Sequence, residues 1–317
     1  MTRLIAIDAG KVGIGDQICY EPIIREISTK LWPNDDIHVL ADNPCVYSHL
    51  PVTTASSADD LLQGRRPDMV IPCSPFRINQ EHGSLEIHPF ATFATSTFIH
   101  TTDFTSLFVL HRMLPDGLKR PRLLVTKDNQ DELTDMLGDV SRLTVVHTGS
   151  SDGDDRFLPS DFLQKVVDGL VKQGHTVAMV GATSRGPTAT VSVSPKTSEH
   201  ILDLVDKLSL PCLFALISQA RLLVTNDSCP VHIAGCFDQP ILLISTLKHP
   251  DHTLHPRGPD NERRWRAKAI YKKLALDDLS MEPDQLWQYG SQRFGKIREC
   301  LPDVESVLNA AKDLILT

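Results

Sequence analysis

Three short segments carry side chains whose types and spacing could perform chemistry. The first is residues 10–16, in which Gly10, Gly13 and Gly15 lead to Asp16. Glycines allow the chain to turn sharply and to approach a ligand closely. We expect Asp16 in the first turn of a helix, where the helix dipole stabilises its anion and the carboxylate can act as a general base. The alternative is that Asp16 only caps the helix.

The second segment is a loop of small residues, Thr148, Gly149 and Ser150, followed by Arg156. Backbone N–H groups, hydroxyls and a guanidinium can all donate hydrogen bonds to the oxygens of a diphosphate. The sequence therefore predicts a phosphate-binding loop here, with an ordinary solvated loop as the alternative.

The third segment is residues 226–234, which follow a predicted strand and begin a predicted helix. Asp227 can accept hydrogen bonds from sugar hydroxyls, and Ser228 can hold a phosphate together with the N–H groups at the helix start. Alternatively, Asp227 caps the helix and His232 is a buried helix histidine.

The elements that must position these segments are short apolar runs that alternate with amphipathic stretches, the pattern of βαβ units. This order predicts an α/β fold with two parallel, doubly wound sheets, in which ligands bind at the carboxyl ends of the strands. Strands are predicted over residues 3–7, 37–41, 69–72, 122–125, 143–147, 176–180, 222–225 and 240–245. Helices are predicted over residues 17–31, 107–114, 130–137, 159–173, 201–208, 212–220 and 304–316.

The same pattern predicts the domain organisation. We expect a first domain over residues 1–142, a second over residues 143–300, and a closing helix over residues 301–317 that can pack back on the first domain. Because each of the three segments follows a strand, each lies where a doubly wound sheet binds its ligand.

Composition narrows the possible classes of protein. Of the 317 residues, 41% are hydrophobic and 23% are charged, which excludes global disorder and a disulfide mini-scaffold. The formal net charge of −8 weighs against a polyanionic partner. Seven scattered cysteines without a CxxC pair predict reduced thiols and a cytoplasmic location. No run of 18 apolar residues occurs, so no transmembrane segment is predicted, while peripheral membrane contact stays open.

Together, the three segments resemble glycosyltransferase family 9, the bacterial heptosyltransferase-like enzymes of the GT-B fold. Six patterns of the family occur in its order: G-x-G-D at residues 13–16, P-x-x-R at 22–25, H-x-G-(S/A) at 147–150, (K/R)-x-W-P at 156–159, V-x-x-x-G at 177–181 and N-D-S-G-x-x-H-x-A at 226–234. The last pattern is the most specific of the six.

The resemblance implies an α/β protein of the GT-B type, with two Rossmann-like domains that face a cleft. It implies an inverting, metal-independent transfer of a sugar from a nucleotide-diphosphate sugar to an acceptor hydroxyl, most simply of a cell-surface glycan. Asp16 would be the catalytic base, Arg156 would contact the diphosphate, and Asp227 would contact the donor sugar. The other expected donor-binding residues are Gly13, Gly15, Thr148, Gly149, Ser150, Gly181, Ser228, Cys229 and His232. No cofactor and no metal are expected, since the nucleotide-sugar is a co-substrate.

Three positions depart from the family pattern. Cys229 replaces the family's glycine, Leu158 replaces its tryptophan, and no acid follows Gly181, where the family often has a glutamate that helps to hold the nucleotide. The sequence therefore does not fix the donor sugar, the nucleotide base or the acceptor.

Basic clusters keep a nucleic-acid acceptor open as an alternative, namely a phage-type glycosyltransferase acting on hydroxymethylated DNA bases. The clusters are Arg112, Lys119, Arg120, Arg122 and Lys127, and Arg257, Arg263, Arg264, Arg266, Lys268, Lys272 and Lys273. A solvated charged surface is the simpler interpretation of both.

Two alternatives belong to other classes of protein. An NAD(P)-dependent oxidoreductase would bind its dinucleotide at residues 10–15 with Asp42 on the ribose, but the glycines follow GxxGxG rather than GxGxxG. A non-catalytic sugar-nucleotide-binding protein is kept open by Cys229. The histidines His249, His252 and His255 do not have the spacing of a standard zinc site.

Overall fold

The computed structural model describes residues 2–10, 13–72, 76–78, 85–87, 120–147, 149, 158–182, 198–246, 254, 266–271 and 297–316. The chain forms two compact units, whose boundary in the sequence falls between Leu124 and Val125. The second unit starts before the predicted boundary at residue 143 because the helix Lys127–Leu137 packs against another helix of that unit, Leu210–Gln219.

The first unit contains a parallel sheet of four strands in the order β3-β2-β1-β4. Its strands are β1 (Leu4–Asp8), β2 (Asp36–Leu40), β3 (Thr53–Ala55) and β4 (Met69–Pro72). Ile5 and Ile7 of the central strand β1 point to the same face of the sheet and are fully buried there. A separate antiparallel pair is formed by β5 (Phe76–Ile78) and β6 (Leu85–Ile87).

Helix α1 (Ile14–Glu26) follows β1 and continues as one π-helical turn, Ile27–Leu31. Ile18, Ile23 and Ile24 of α1 are buried, so the helix is fixed firmly against the core of the first unit. A 3₁₀ turn (Pro44–Tyr47) and the short helix α2 (Ala58–Leu62) complete this unit within the described residues.

The second unit contains a parallel sheet of six strands in the order β12-β11-β10-β7-β8-β9. Its strands are β7 (Leu143–His147), β8 (Thr176–Val180), β9 (Ile201–Asp203), β10 (Leu222–Thr225), β11 (Ile241–Ser245) and β12 (Ala267–Tyr271). The chain builds outward from β7 to one edge and then from β10 to the other. The predicted doubly wound α/β sheet is thereby confirmed, with its switch point between β7 and β10.

Six helices of the second unit lie within the described residues. They are α3 (Lys127–Leu137), α4 (Ser160–Lys172), α5 (Leu210–Gln219), α6 (Cys229–Phe237), α7 (Ile297–Cys300) and α8 (Val304–Leu316). None of the described helices is long and apolar enough to cross a membrane.

The closing helix α8 is part of the core of the second unit, where the sequence had left open a return to the first domain. It packs against α4 and against β10, β11 and β12, and it buries Val307, Ala311 and Leu314. Gly169 of α4 allows this close approach, because a Cβ atom there would lie 2.3 Å from Leu308 Cδ1. The helix therefore covers part of one face of the sheet whose strands lead into the second and third segments.

Two predicted elements are wrong. Residues 201–208 form β9 and a turn instead of a helix, because Leu204 N–H donates to Met179 C=O (2.9 Å) and extends the pairing with β8. Residues 122–125 form no strand, and Arg122 N–H donates instead to the Glu21 carboxylate. The helix predicted over residues 107–114 lies outside the described residues.

Candidate functional site

Asp16 is the third residue of α1, the helix that follows β1 at the carboxyl edge of the first sheet. Gly13 is the N-cap, with an extended backbone (φ −60°, ψ 155°) and no side chain to cap the helix. A Cβ atom on Gly13 would lie 3.3 Å from Asp16 Oδ2, so the glycine leaves room for the carboxylate. Gly15 lies between them in the first turn. The structure thus brings these three predicted residues together at a helix start, where the dipole stabilises an anion.

Buried hydrogen bonds hold the start of α1 in place. The Gln17 side chain is buried, and its Oε1 accepts a hydrogen bond from Asn43 N–H (3.1 Å). The Tyr47 hydroxyl donates to Gln17 C=O (2.9 Å). Because Asn43 and Tyr47 follow β2, these bonds fix the helix start against the neighbouring strand end.

A fully buried carboxylate lies one turn further along α1. Glu21 Oε1 accepts from Arg25 Nη1 (2.8 Å) and lies 2.9 Å from His49 Nε2. Glu21 Oε2 accepts from Arg122 N–H (2.9 Å), and Arg25 Nη2 donates to Arg120 C=O (3.0 Å). Several donors therefore compensate the buried charge, as a buried carboxylate requires. This cluster was not predicted from the sequence, although an acid among the apolar residues 18–24 was a signal.

In the second unit, the loops after β7 and β10 lie side by side. His147 and Thr225, the last residues of the two strands, are register partners. Asn226 Nδ2 donates a hydrogen bond to Gly149 C=O (3.1 Å), and both groups are buried. This bond joins the second predicted segment to the third at the switch point of the sheet, where doubly wound folds bind their ligands.

The third segment continues directly into α6. The Asp227 side chain is 8% exposed. Ser228 is the N-cap in an extended conformation, and its side chain makes no capping hydrogen bond. Cys229, the first residue of α6, and His232, one turn further, are half-buried. The first turn of α6 contains no acid, so the positive end of its dipole faces the switch point uncompensated by the helix itself.

His147 is buried at the end of β7. Burial lowers the pKa of His147 to about 4, against a smaller opposing effect of its side-chain hydrogen bond with Asn226. The imidazole is therefore neutral at neutral pH. Among the described residues, its Nδ1 has no hydrogen-bond partner. The sequence analysis had placed His147 in a family pattern without assigning it a role.

Gly181 follows β8, which is hydrogen-bonded to β7, so it lies at the same edge of the sheet. Thr148, Ser150 and Arg156 lie outside the described residues, as do His249, His252 and His255. In the described part of the chain, no three His, Cys, Asp or Glu side chains are arranged to hold a metal ion.

A doubly wound parallel sheet with two polar loops at its switch point is the arrangement in which α/β proteins of this class commonly bind nucleotides. Solved glycosyltransferase structures share the fold. A glycosyltransferase family 9 protein of Veillonella parvula is 17% identical, with a TM-score of 0.60 and coverage of 99% of this chain and 97% of that one. ADP-heptose LPS heptosyltransferase II of E. coli is 14% identical, with a TM-score of 0.55 and coverage of 99% of both chains.

A third similar structure is TibC, an iron-containing dodecameric glycosyltransferase from enterotoxigenic E. coli H10407. It is 13% identical, with a TM-score of 0.59 and coverage of 100% of this chain and 77% of that one. TibC is also described as a heptosyltransferase in complex with ADP-D-beta-D-heptose. At these identities the structures show the GT-B-like fold, which confirms the predicted fold class.

The sequence itself decides the family. The model of glycosyltransferase family 9 (heptosyltransferase) matches residues 100–270, more than half of the chain, whereas no curated protein matches. The chain belongs to glycosyltransferase family 9 and is a glycosyltransferase. The predicted family is thereby confirmed, and the oxidoreductase alternative is not supported. Residues 13–16 lie outside the matched range, so the role of Asp16 depends on its position at the start of α1.

Proposed function

We propose that this protein transfers a sugar from a nucleotide-diphosphate sugar to an acceptor hydroxyl with inversion of the anomeric carbon and without a metal ion. The observation that carries the proposal is the pair of loops after β7 and β10, joined by the bond from Asn226 to Gly149 at the switch point. Such a crevice at the carboxyl ends of parallel strands suits a nucleotide.

The donor diphosphate is proposed to bind where these two loops meet the start of α6. The N–H groups at the helix start and the hydroxyls of Thr148, Ser150 and Ser228 donate to its oxygens. Arg156 adds a charge-assisted hydrogen bond. Asp227 accepts hydrogen bonds from hydroxyls of the donor sugar. Gly149, Gly181, Cys229 and His232 complete the proposed donor-binding set.

The chemical step needs one base and a stabilised leaving group. The Asp16 carboxylate removes the proton of the acceptor hydroxyl while the acceptor oxygen bonds to the anomeric carbon. The bond from that carbon to the diphosphate breaks on the opposite face, and the electron pair leaves with the diphosphate. The start of α6 and Arg156 stabilise the growing negative charge, which is the service that a metal ion provides in other transferases.

We propose a nucleoside diphosphate sugar as donor, with a heptose as the first candidate because two of the similar structures are named as heptosyltransferases. We propose a cell-surface glycan as acceptor. The net charge of −8 disfavours a polyanion such as DNA.

A thermal-shift panel with ADP, GDP, UDP, CDP, TDP, NAD and NADP is the first test. A ligand at about 100 times its dissociation constant adds roughly 2.7 kcal/mol of stability, which is readily measured. We expect a shift with one nucleoside diphosphate. A shift with NAD or NADP alone would refute the proposal.

The second test separates binding from chemistry. Asp16→Asn should lower turnover by about 100-fold or more and leave binding of the donor nucleotide unchanged. Arg156→Ala should weaken binding of that nucleotide by roughly 10-fold or more, the loss of one charge-assisted hydrogen bond. Asp128→Asn is the matched control, since Asp128 is also an acid in the first turn of a helix. Activity of Asp16→Asn within a few-fold of the wild type would remove Asp16 from the role of base, and turnover abolished by EDTA would refute a metal-independent reaction.

A further inference from the structure

The second sheet lacks an acid at a position where nucleotide-binding folds often have one. In doubly wound folds, a carboxylate beyond the second strand commonly accepts hydrogen bonds from the ribose hydroxyls. The second strand of this unit is β8, and it is followed by Gly181, Ala182, Thr183, Ser184 and Arg185. The start of this loop therefore offers no carboxylate for a ribose, and its one acid, Glu199, lies two residues before β9, at the opposite edge of the sheet.

The turn after β9 brings a different acid to the end of β8. Asp206 N–H donates a hydrogen bond to Gly181 C=O (3.0 Å). Two residues earlier, Leu204 N–H donates to Met179 C=O (2.9 Å), so the turn is fixed against β8 at two points. Neighbouring strands are about 4.8 Å apart, so the Asp206 backbone lies next to the end of β8 and roughly two strand spacings, about 10 Å, from the end of β7.

The backbone of Asp206 has a conformation that favours glycine. Its φ is +58°, in the left-handed region, which costs most residues roughly 1 kcal/mol or more and which aspartate tolerates better than most. The side chain is exposed. The other acid of the turn, Asp203, is less exposed, and its Oδ1 accepts from Val205 N–H (3.1 Å). An exposed aspartate thus occupies a turn position where glycine would be less strained, beside Gly181 at the start of the loop after β8.

We propose that Asp206 determines recognition of the donor ribose, with its carboxylate accepting hydrogen bonds from the 2′- and 3′-hydroxyls of the nucleotide. The proposal depends on the proposed function, since it places the nucleoside over β8 and β9 once the diphosphate occupies the loops after β7 and β10. The acid that is missing directly after β8 is instead supplied by the turn after β9, and the hydrogen bond from Asp206 N–H to Gly181 C=O holds it at the carboxyl edge of the sheet.

The substitution Asp206→Gly tests this role with little risk to the fold, because glycine adopts a positive φ without strain. Asp238→Gly is the matched control: Asp238 is exposed, has φ +65° and ends α6, where the chain turns back at the opposite edge of the sheet. Both variants should be at least as stable as the wild type in a thermal melt. If both variants are stable, a loss of nucleotide affinity in one of them cannot be caused by unfolding.

The measurement is calorimetric titration with the nucleoside diphosphate that stabilises the protein and with its 2′-deoxy and 3′-deoxy analogues. We expect the wild type and Asp238→Gly to bind the ribonucleotide about 10-fold or more better than at least one analogue. Asp206→Gly should lose that factor in ribonucleotide affinity and bind the ribonucleotide and both analogues equally. Asp206→Asn, which keeps the shape and removes the charge, should lie between the two.

Two results would overturn the proposal. If Asp206→Gly keeps the affinity and the preference of the wild type, or if the wild type itself shows no preference, Asp206 is only a turn residue and the proposed function is unaffected. If the wild type binds none of the nucleoside diphosphates, the proposed function fails and the ribose assignment fails with it.

Discussion

Replacement of Asn226 by alanine is expected to separate the two loops of the proposed donor site. The Asn226 side chain is 1% exposed, and its Nδ2 donates to Gly149 C=O across 77 residues of sequence. The bond turns this carbonyl oxygen toward the protein interior. A carbonyl released from this bond can turn toward the proposed diphosphate position, where its negative end would repel the phosphate oxygens. The change should therefore act on stability and on donor affinity together.

The magnitude follows from the burial of both groups. A hydrogen bond between neutral groups contributes a net 0.5 to 1.5 kcal/mol, whereas a buried acceptor left without its donor costs about 1 to 3 kcal/mol. We expect Asn226→Ala to lower the free energy of unfolding by roughly 1 to 3 kcal/mol. The same free energy, expressed in donor binding, is a loss of about 5- to 150-fold in affinity. Asn226→Asp should lose more, because its carboxylate faces the Gly149 carbonyl.

The assay pairs urea unfolding with calorimetric titration of the stabilising nucleoside diphosphate. Gln239→Ala is the matched control, since the Gln239 amide also donates to a backbone carbonyl, that of Ser218, in the same unit. Gln239 follows the end of α6 and Ser218 lies in the last turn of α5, so the bond between them is at the opposite edge of the sheet from Asn226. The control should lose stability and keep its donor affinity. The reasoning is refuted if Asn226→Ala loses stability but binds the nucleotide as well as the wild type.

Two further predictions concern buried titratable groups. The pKa of His147 is lowered to about 4 in the folded protein, from an unfolded value near 6.5. The contribution of His147 to the free energy of unfolding is therefore fully present above pH 6.5, where the residue is neutral in both states. Roughly 3 kcal/mol of the free energy of unfolding should be lost as the pH falls from 6.5 to 4. The urea midpoints of the wild type and of His147→Gln, plotted against pH, should diverge in this range. Parallel plots would contradict the effect of burial on His147. Glu21→Gln should destabilise the protein by about 3 to 5 kcal/mol, because Arg25 and His49 then face a neutral amide in the interior. Glu26→Gln should cost less in the same urea assay, because its partner Lys30, on the π-helical turn, is exposed; equal losses would argue against the buried cluster.

The parallel sheets could be predicted because their strands are continuous apolar runs. All residues of β7, β10 and β11 are buried, so local sequence alone marks them as interior strands. β9 was mistaken for a helix because its state depends on pairing with a distant strand. Ile201, Leu204, Val205 and Leu208 have helical spacing, and only the hydrogen bonds from this turn to β8 decide against it.

The residues of the candidate site that follow strands could be predicted from the sequence, whereas the contacts between distant segments could not. Asp16, Asp227 and Ser228 each follow an apolar run, and a parallel sheet places such residues at one edge. The Glu21 cluster joins residues up to 101 positions apart, and the bond from Asn226 to Gly149 joins residues 77 apart. The hydrophobic periodicity of a sequence contains no information about a single side-chain contact over such a separation, so these hydrogen bonds could be found only in the structure.

The two helix starts at the candidate sites differ in a way that matches different roles. The first turn of α1 contains Asp16, whose carboxylate occupies the positive end of its own helix dipole. That helix start suits a base that the protein supplies. The first turn of α6 contains no acid, and Ser228 does not cap it, whereas Ser209 caps α5 by accepting from Cys212 N–H (3.3 Å). An uncapped helix start without an internal acid suits an anion that the substrate brings. The composition of the two first turns thus favours the base in the first unit and the diphosphate in the second.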